Sequence, residues 1–268
     1  MMDYREIPRV SNSDLTRFKE EHLGFGLGNS IPPANLERAK VFGRAFHQHL
    51  LEPETIGTVM QQFLPDMLDA EPTLDSRDEI KLQTLMKTIK KDGFCQRYLR
   101  RAERERVILW TDPQSQIACK SRLDVVYTSP KRRNALILDF KTTSARTQAQ
   151  FLQSCYDYDY DRQAAFYLDS LLYADAVSGG DARNATNRVL FPGEWATTRN
   201  FKFVFIGVMK PSPHRMFVVE ATSIPGFVDY GRKKYRFWLR KWRDEELTNL
   251  GNTSRIGQQT ALPMRLSA

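Results

Sequence analysis

The stretch Leu136-Ile137-Leu138-Asp139-Phe140-Lys141 (LILDFK) decides how this chain is read. Its alternation predicts a β-strand that sends Leu136, Leu138 and Phe140 to one sheet face and Ile137, Asp139 and Lys141 to the other. A carboxylate and an ammonium then leave the same face near a strand end. Alone, an Asp-x-Lys pair is a common surface ion pair of small energetic weight. The preceding segment, CKSRLDVV over residues 119–126, adds to it. That segment predicts a second strand with Lys120, Arg122 and Asp124 on one face and Cys119, Leu123 and Val125 on the other. Fifteen positions separate Asp124 from Asp139, enough for a hairpin across which the two carboxylates meet. Carboxylates that close repel each other unless a cation lies between them. Oxygen donors without a thiolate or histidine cluster suit magnesium or manganese. Such an ion polarises a phosphodiester and acidifies a bound water, while Lys141 orients that water or neutralises charge on the phosphate. The plainer alternative, two aspartates at strand-end turns, needs no ion.

Working outward, a strand over 105–110, one over 117–127 and one over 135–141 that contains LILDFK are separated by turn-rich pieces and read as an antiparallel meander. Glu105 heads the first strand and is a secondary candidate for orienting a metal shell. Upstream, helices are predicted over 11–21, 35–51, 55–68 and 77–101, the last broken near Gly93. Downstream come helices over 147–153 and 161–173, a loop over 174–200, strands over 201–209 and 214–220, and a final helix over 225–247. The expected organisation is one α/β domain over 1–247: a mostly helical part (1–104), a sheet-bearing core (105–221) and a C-terminal helix (222–247), followed by a flexible tail over 248–268.

Charge is unevenly placed. Of a formal +8 over 268 residues, residues 87–106 carry +5 and residues 231–243 (GRKKYRFWLRKWR) carry +7, leaving −4 on the remainder. Two basic segments on a mildly acidic body favour an anionic partner such as nucleic acid. In the second segment Tyr235, Phe237, Trp238 and Trp242 interleave with the cations, as in a helix that packs an aromatic stripe inward and points Lys233, Lys234 and Arg236 at phosphates. Three scattered cysteines, Cys95, Cys119 and Cys155, supply neither a disulfide framework nor a four-cysteine iron–sulfur cluster, and fit a reducing cytoplasm. No apolar run is long enough to span a membrane, no membrane partner is expected, and no Gly-x-x-x-x-Gly-Lys-Ser/Thr loop indicates a nucleotide cofactor.

Gln163 and Tyr167 stand four apart on a predicted helix, so their polar ends share a face. Gly43 and His47 do the same, with the glycine allowing close approach one turn before the imidazole. In this order, Gly43-x-x-x-His47, Asp124, Asp139-Phe140-Lys141 and Gln163-x-x-x-Tyr167 resemble the RecB-like branch of the PD-(D/E)XK nuclease superfamily. Within it the chain looks most like the RecE (exonuclease VIII) type, through its VSNSDLTRF, FGRAFHQHLLEPE and DYDYDRQAAFYLD segments. The resemblance implies a mixed central sheet flanked by helices. It implies a Mg²⁺- or Mn²⁺-dependent 5′-to-3′ exonuclease on linear double-stranded DNA, leaving 3′ single strands for an annealing protein. It also implies a homo-oligomeric ring, a trimer or tetramer, around the DNA end. His47, Asp124, Asp139, Lys141, Gln163 and Tyr167 would be catalytic, with His47, Asp124 and Asp139 on the metal. Arg44, Lys120, Arg122, Gln163, Tyr167, Lys233, Lys234 and Arg236 would contact DNA. An endonuclease or a nuclease subunit of a repair or defence complex is the alternative, as is a DNA-binding scaffold without catalysis.

Overall fold

A computed structural model describes residues 4–24, 33–52, 74–129, 134–174 and 200–259. The predicted helix over 55–68 and nearly all of the loop over 174–200 lie outside them, as do residues 260–268. Seven α-helices and five strands are found among the described residues: α1 (Asn12–Leu23), α2 (Pro33–Leu51), α3 (Ser76–Lys91), α4 (Gly93–Arg101), β1 (Glu103–Thr111), β2 (Ala118–Ser129), β3 (Asn134–Thr143), α5 (Gln148–Asp157), α6 (Tyr160–Leu172), β4 (Asn200–Met209), β5 (Met216–Glu220) and α7 (Phe227–Gln259).

The strands form one mixed sheet in the order β1-β2-β3-β4-β5. The predicted meander is present, β1 and β2 antiparallel and β2 and β3 antiparallel. β4 joins β3 in parallel, and β5 closes the far edge antiparallel to β4. A parallel neighbour requires a crossover, which α5 and α6 supply. Buried on both faces, β3 reads as a nearly continuous apolar run. Leu138 and Phe140 pack with Phe42, Phe46, Leu82, Leu85 and Val204 beneath α2 and α3. Ile137 packs with Phe151, Ala164, Leu168, Phe203 and Phe205 beneath α5 and α6. The sheet therefore lies between two helical layers, an α/β arrangement.

Local chemistry sets the helix ends. Ser11 and Asp14 form a capping box at α1, each side chain bonded to the other's backbone amide. The predicted break near Gly93 falls at Asp92, whose carboxylate accepts from the Cys95 amide at 2.8 Å and starts α4. The C-terminal helix runs on to Gln259, past the predicted end at 247. Its Gly231 seats it on α6: a Cβ there would lie 1.9 Å from the Asp161 carbonyl oxygen. A third core cluster unites Leu15 of α1, Trp110 of β1, Phe166 of α6, and Tyr235 and Leu239 of α7. Among the described residues, no helix is long and apolar enough to cross a membrane.

Candidate active site

The faces predicted for β3 are those observed, with Ile137 in one core cluster and Leu138 and Phe140 in the other. Those predicted for β2 are not. Leu123 and Val126 join the cluster under α6, whereas Val125 joins the cluster under α2, so the alternation breaks at Asp124–Val125. Two features accompany the break. The β2–β3 ladder stops at Val125↔Leu138, and the Asp124 carboxylate takes the Phe140 amide at 2.9 Å. Across the other edge, Glu105 has a left-handed backbone (φ 48°) and is skipped in the β1–β2 pairing. That conformation costs a non-glycine residue about 1 kcal/mol or more and clusters at functional sites. No sequence pattern announced it.

The interruption gathers side chains. Ligand atoms of His47 on α2, Glu105 on β1 and Asp124 on β2 all lie within 4.8 Å of one another, with His47 Nδ1 3.3 Å from Asp124 Oδ2. Asp139 is not in this trio. It is 1% exposed, its Oδ1 lies 2.6 Å from Lys141 Nζ, and its Oδ2 accepts from Gln163 Nε2 at 2.7 Å. Glu105 thus joins His47 and Asp124 in the trio, with Asp139 bonded to Lys141 and Gln163 alongside. The groups open on a cleft of about 540 Å³ whose lining includes Arg44, Lys141, Gln163 and Tyr167.

Burial dominates the electrostatics. It pushes the Glu105 carboxyl up to about 7, with Asp124 adding to the rise. It raises Asp139 to about 6 against the pull of Lys141, and it raises Asp124 as well. Burial and then Lys141 push His47 down to about 4, so its imidazole is neutral near pH 7. Burial opposes the Lys141 charge, but Asp139, Tyr160 and Asp124 together outweigh it and hold the ammonium protonated well above its usual range. Neutral imidazole beside crowded carboxylates is a donor set that a divalent cation would relieve of both its repulsion and its protons.

Several residues expected to contact DNA make bonds within the fold, Arg122 among them on the cleft itself. Lys120 Nζ donates to the carbonyls of Tyr4, Arg5 and Ile7, stapling the N-terminal segment to β2. Arg122 pairs with Glu105 at 2.8 Å and covers the Tyr4 ring. Lys234 binds Asp159 and Asp161, and Arg236 donates to the Tyr235 hydroxyl and lies 3.6 Å from Asp169. Of the four basic residues expected on DNA in those two segments besides Arg122, Lys233 alone is exposed. A Cβ on Gly43 would meet nothing within 4 Å among the described residues, so no close approach of those residues explains that glycine. Arg44, exposed on the cleft, makes no ion pair with a described residue.

The model of a family described as "PDDEXK-like domain of unknown function (DUF3799)" matches residues 27–179, more than half of the chain. The chain belongs to this family. Every residue of the trio, with Asp139, Lys141, Gln163 and Tyr167, lies inside the matched PDDEXK-like region, whereas α1 and α7 lie outside it. The nuclease superfamily expected from the motifs is therefore the one found. Among solved structures, a "Putative exonuclease" from Eubacterium rectale superposes with TM-score 0.53 at 10% identity, covering 90% of this chain and 86% of that one. At that identity the likeness shows the fold. Another, SSO0001, gives TM-score 0.28 at 13% identity over 83% of this chain and 84% of that one, and carries no argument. No curated protein matches the chain.

Proposed function

We propose that this PDDEXK-like domain is a divalent-metal-dependent exonuclease of the RecE type, which digests one strand of linear duplex DNA from its 5′ end and leaves a 3′ single strand for an annealing protein. The observation that carries the reading is the convergence of His47, Glu105 and Asp124 within 4.8 Å, beside the linked Lys141, Asp139 and Gln163, on an open cleft. His47, Glu105 and Asp124 would hold Mg²⁺ or Mn²⁺, which would polarise the scissile phosphodiester and acidify an attacking water. Asp139 fixes Lys141, whose ammonium offsets negative charge building on the phosphate. Gln163 fixes Asp139 in turn, and Tyr167, one turn further along α6, shapes the same wall. Arg44, exposed on the cleft, attracts the DNA backbone. A homo-oligomeric ring would keep the DNA threaded between successive cuts.

Strand-resolved analysis of end-labelled duplex tests this. With Mg²⁺ the strand carrying the 5′ end should be shortened from that end, with no cleavage in EDTA or by Asp124→Asn. Cleavage of covalently closed circles would replace the exonuclease with an endonuclease. DNA binding without cleavage of any substrate would leave a non-catalytic scaffold.

A further inference from the structure

Four of the seven cations in the basic segment of α7 are engaged within the fold. Arg232 holds Asp169 and Asp229, Lys234 holds Asp159 and Asp161, Arg236 reaches Tyr235 and Asp169, and Arg243 lies beside Asp244. Lys233, Arg240 and Lys241 remain, exposed and without an ion pair to any described residue. At 3.6 residues per turn they fall on one face with Tyr230 and Phe237, opposite the buried Gly231, Tyr235 and Leu239. Tyr230 is 56% exposed and Phe237 43% exposed. The sequence led us to expect Phe237 in the core stripe, but the packing uses Trp238 and Trp242 against Phe18 instead. Beside this face, a groove of about 410 Å³ between α7 and the β1–β2 turn is lined by Gln114, Asp229, Arg232, Lys233, Arg236 and Arg240.

We propose that this face of α7 binds single-stranded nucleic acid, with bases stacked on Tyr230 and Phe237 and phosphates on Lys233, Arg240 and Lys241. Phosphate attraction alone would serve a duplex equally well. Two exposed rings add a preference, because paired bases keep their faces within the stack, whereas those of a single strand are free to lie on an aromatic side chain. The rings are seven residues apart, about 10 Å along the helix, with Lys233 between them. Acidic residues bound the face: Asp229, already paired with Arg232, at one end and Asp244 at the other. The site is separate from the cleft. α6 lies between them, turning Gln163 and Tyr167 to the cleft and Asp161 and Asp169 to α7, so the proposal does not depend on the hydrolytic reading.

The test uses the full chain in EDTA, so that no strand is cut. Fluorescence anisotropy with a labelled oligothymidylate of about 20 nucleotides, and with a duplex of the same length, is recorded over a range of salt. Lys233→Glu/Arg240→Glu/Lys241→Glu should weaken oligothymidylate binding at least about tenfold and lower the log–log salt slope by about 2, as expected for three single-strand phosphate contacts. Tyr230→Ala/Phe237→Ala should cost about tenfold on the single strand and change duplex binding less than about twofold. Melting curves matching the parent's show that the variants fold. Single-strand affinity unchanged in both variants, or lost only in Arg44→Glu at the cleft, would overturn the proposal. Equal loss on duplex and single strand in Tyr230→Ala/Phe237→Ala would also overturn it, by making the face a duplex-backbone site. Cleavage by the parent in Mg²⁺ is scored separately, so failure here and failure of the nuclease reading are told apart.

Discussion

Glu105 is where the residue scale is most informative. Its left-handed backbone interrupts the β1–β2 ladder and turns its carboxylate toward His47 and Asp124, while Arg122 neutralises it at 2.8 Å. The motif pattern leads to an ion shared by Asp124 and Asp139; the ligand atoms that cluster are those of His47, Glu105 and Asp124. The two assignments predict different things. Glu105→Ala should weaken Mn²⁺ binding by at least about tenfold, since losing even a supporting group of a metal ligand costs that much. Calorimetric titration of parent and variant measures it. Unchanged affinity would return the ion to Asp124 and Asp139.

Among the elements, α7 depends on Gly231. At an open helix position, replacing Gly with Ala stabilises by about 1 kcal/mol. Here the added methyl meets the main chain of α6, 1.9 Å from the Asp161 oxygen, and backbone cannot yield as a side chain can. Gly231→Ala should therefore destabilise by about 2 kcal/mol or more and lower Tm by about 4–8 °C; a raised Tm would show that α7 does not seat as described. The same helix shows where sequence reading stops. Alternation exposed the faces of β3 because both cores press on it and the period of two is strict. It misassigned Leu123 and Val125 because a break in a ladder leaves no compositional trace. The run GRKKYRFWLRKWR revealed charge and amphipathicity, but which cations turn inward depended on Asp159, Asp161 and Asp169, supplied by α6 and the turn before it. The order of the motifs named the superfamily from His47 through Tyr167, yet the role of Asp139 as a partner of Lys141 rather than a member of the trio needed three dimensions.

Across the whole molecule, α1, α6 and α7 are joined through Asp159, which accepts from Lys19 at 2.5 Å and Lys234 at 2.8 Å. Burial pushes the Asp159 carboxyl up, but the hydrogen bonds from Lys19 and Lys234 outweigh it and hold the group below its ordinary range. A lowered folded-state pKa means that this contribution is complete above the unfolded value of about 3.9 and disappears as pH falls through the folded one. The near-ultraviolet circular dichroism of Trp238 and Trp242, packed where α7 meets α1, should hold steady through neutral pH and fade below about pH 4. Asp159→Asn should lower stability at neutral pH and flatten the acid limb; an unaltered limb would assign acid unfolding to other carboxylates. The sheet carries a further consequence for handling the protein. The region matched by the family model ends at residue 179, whereas β3 finds its parallel neighbour only at Asn200–Met209. A fragment trimmed to that match would leave the amides and carbonyls of its most apolar strand without a mate, a template on which copies of the fragment would stack and precipitate.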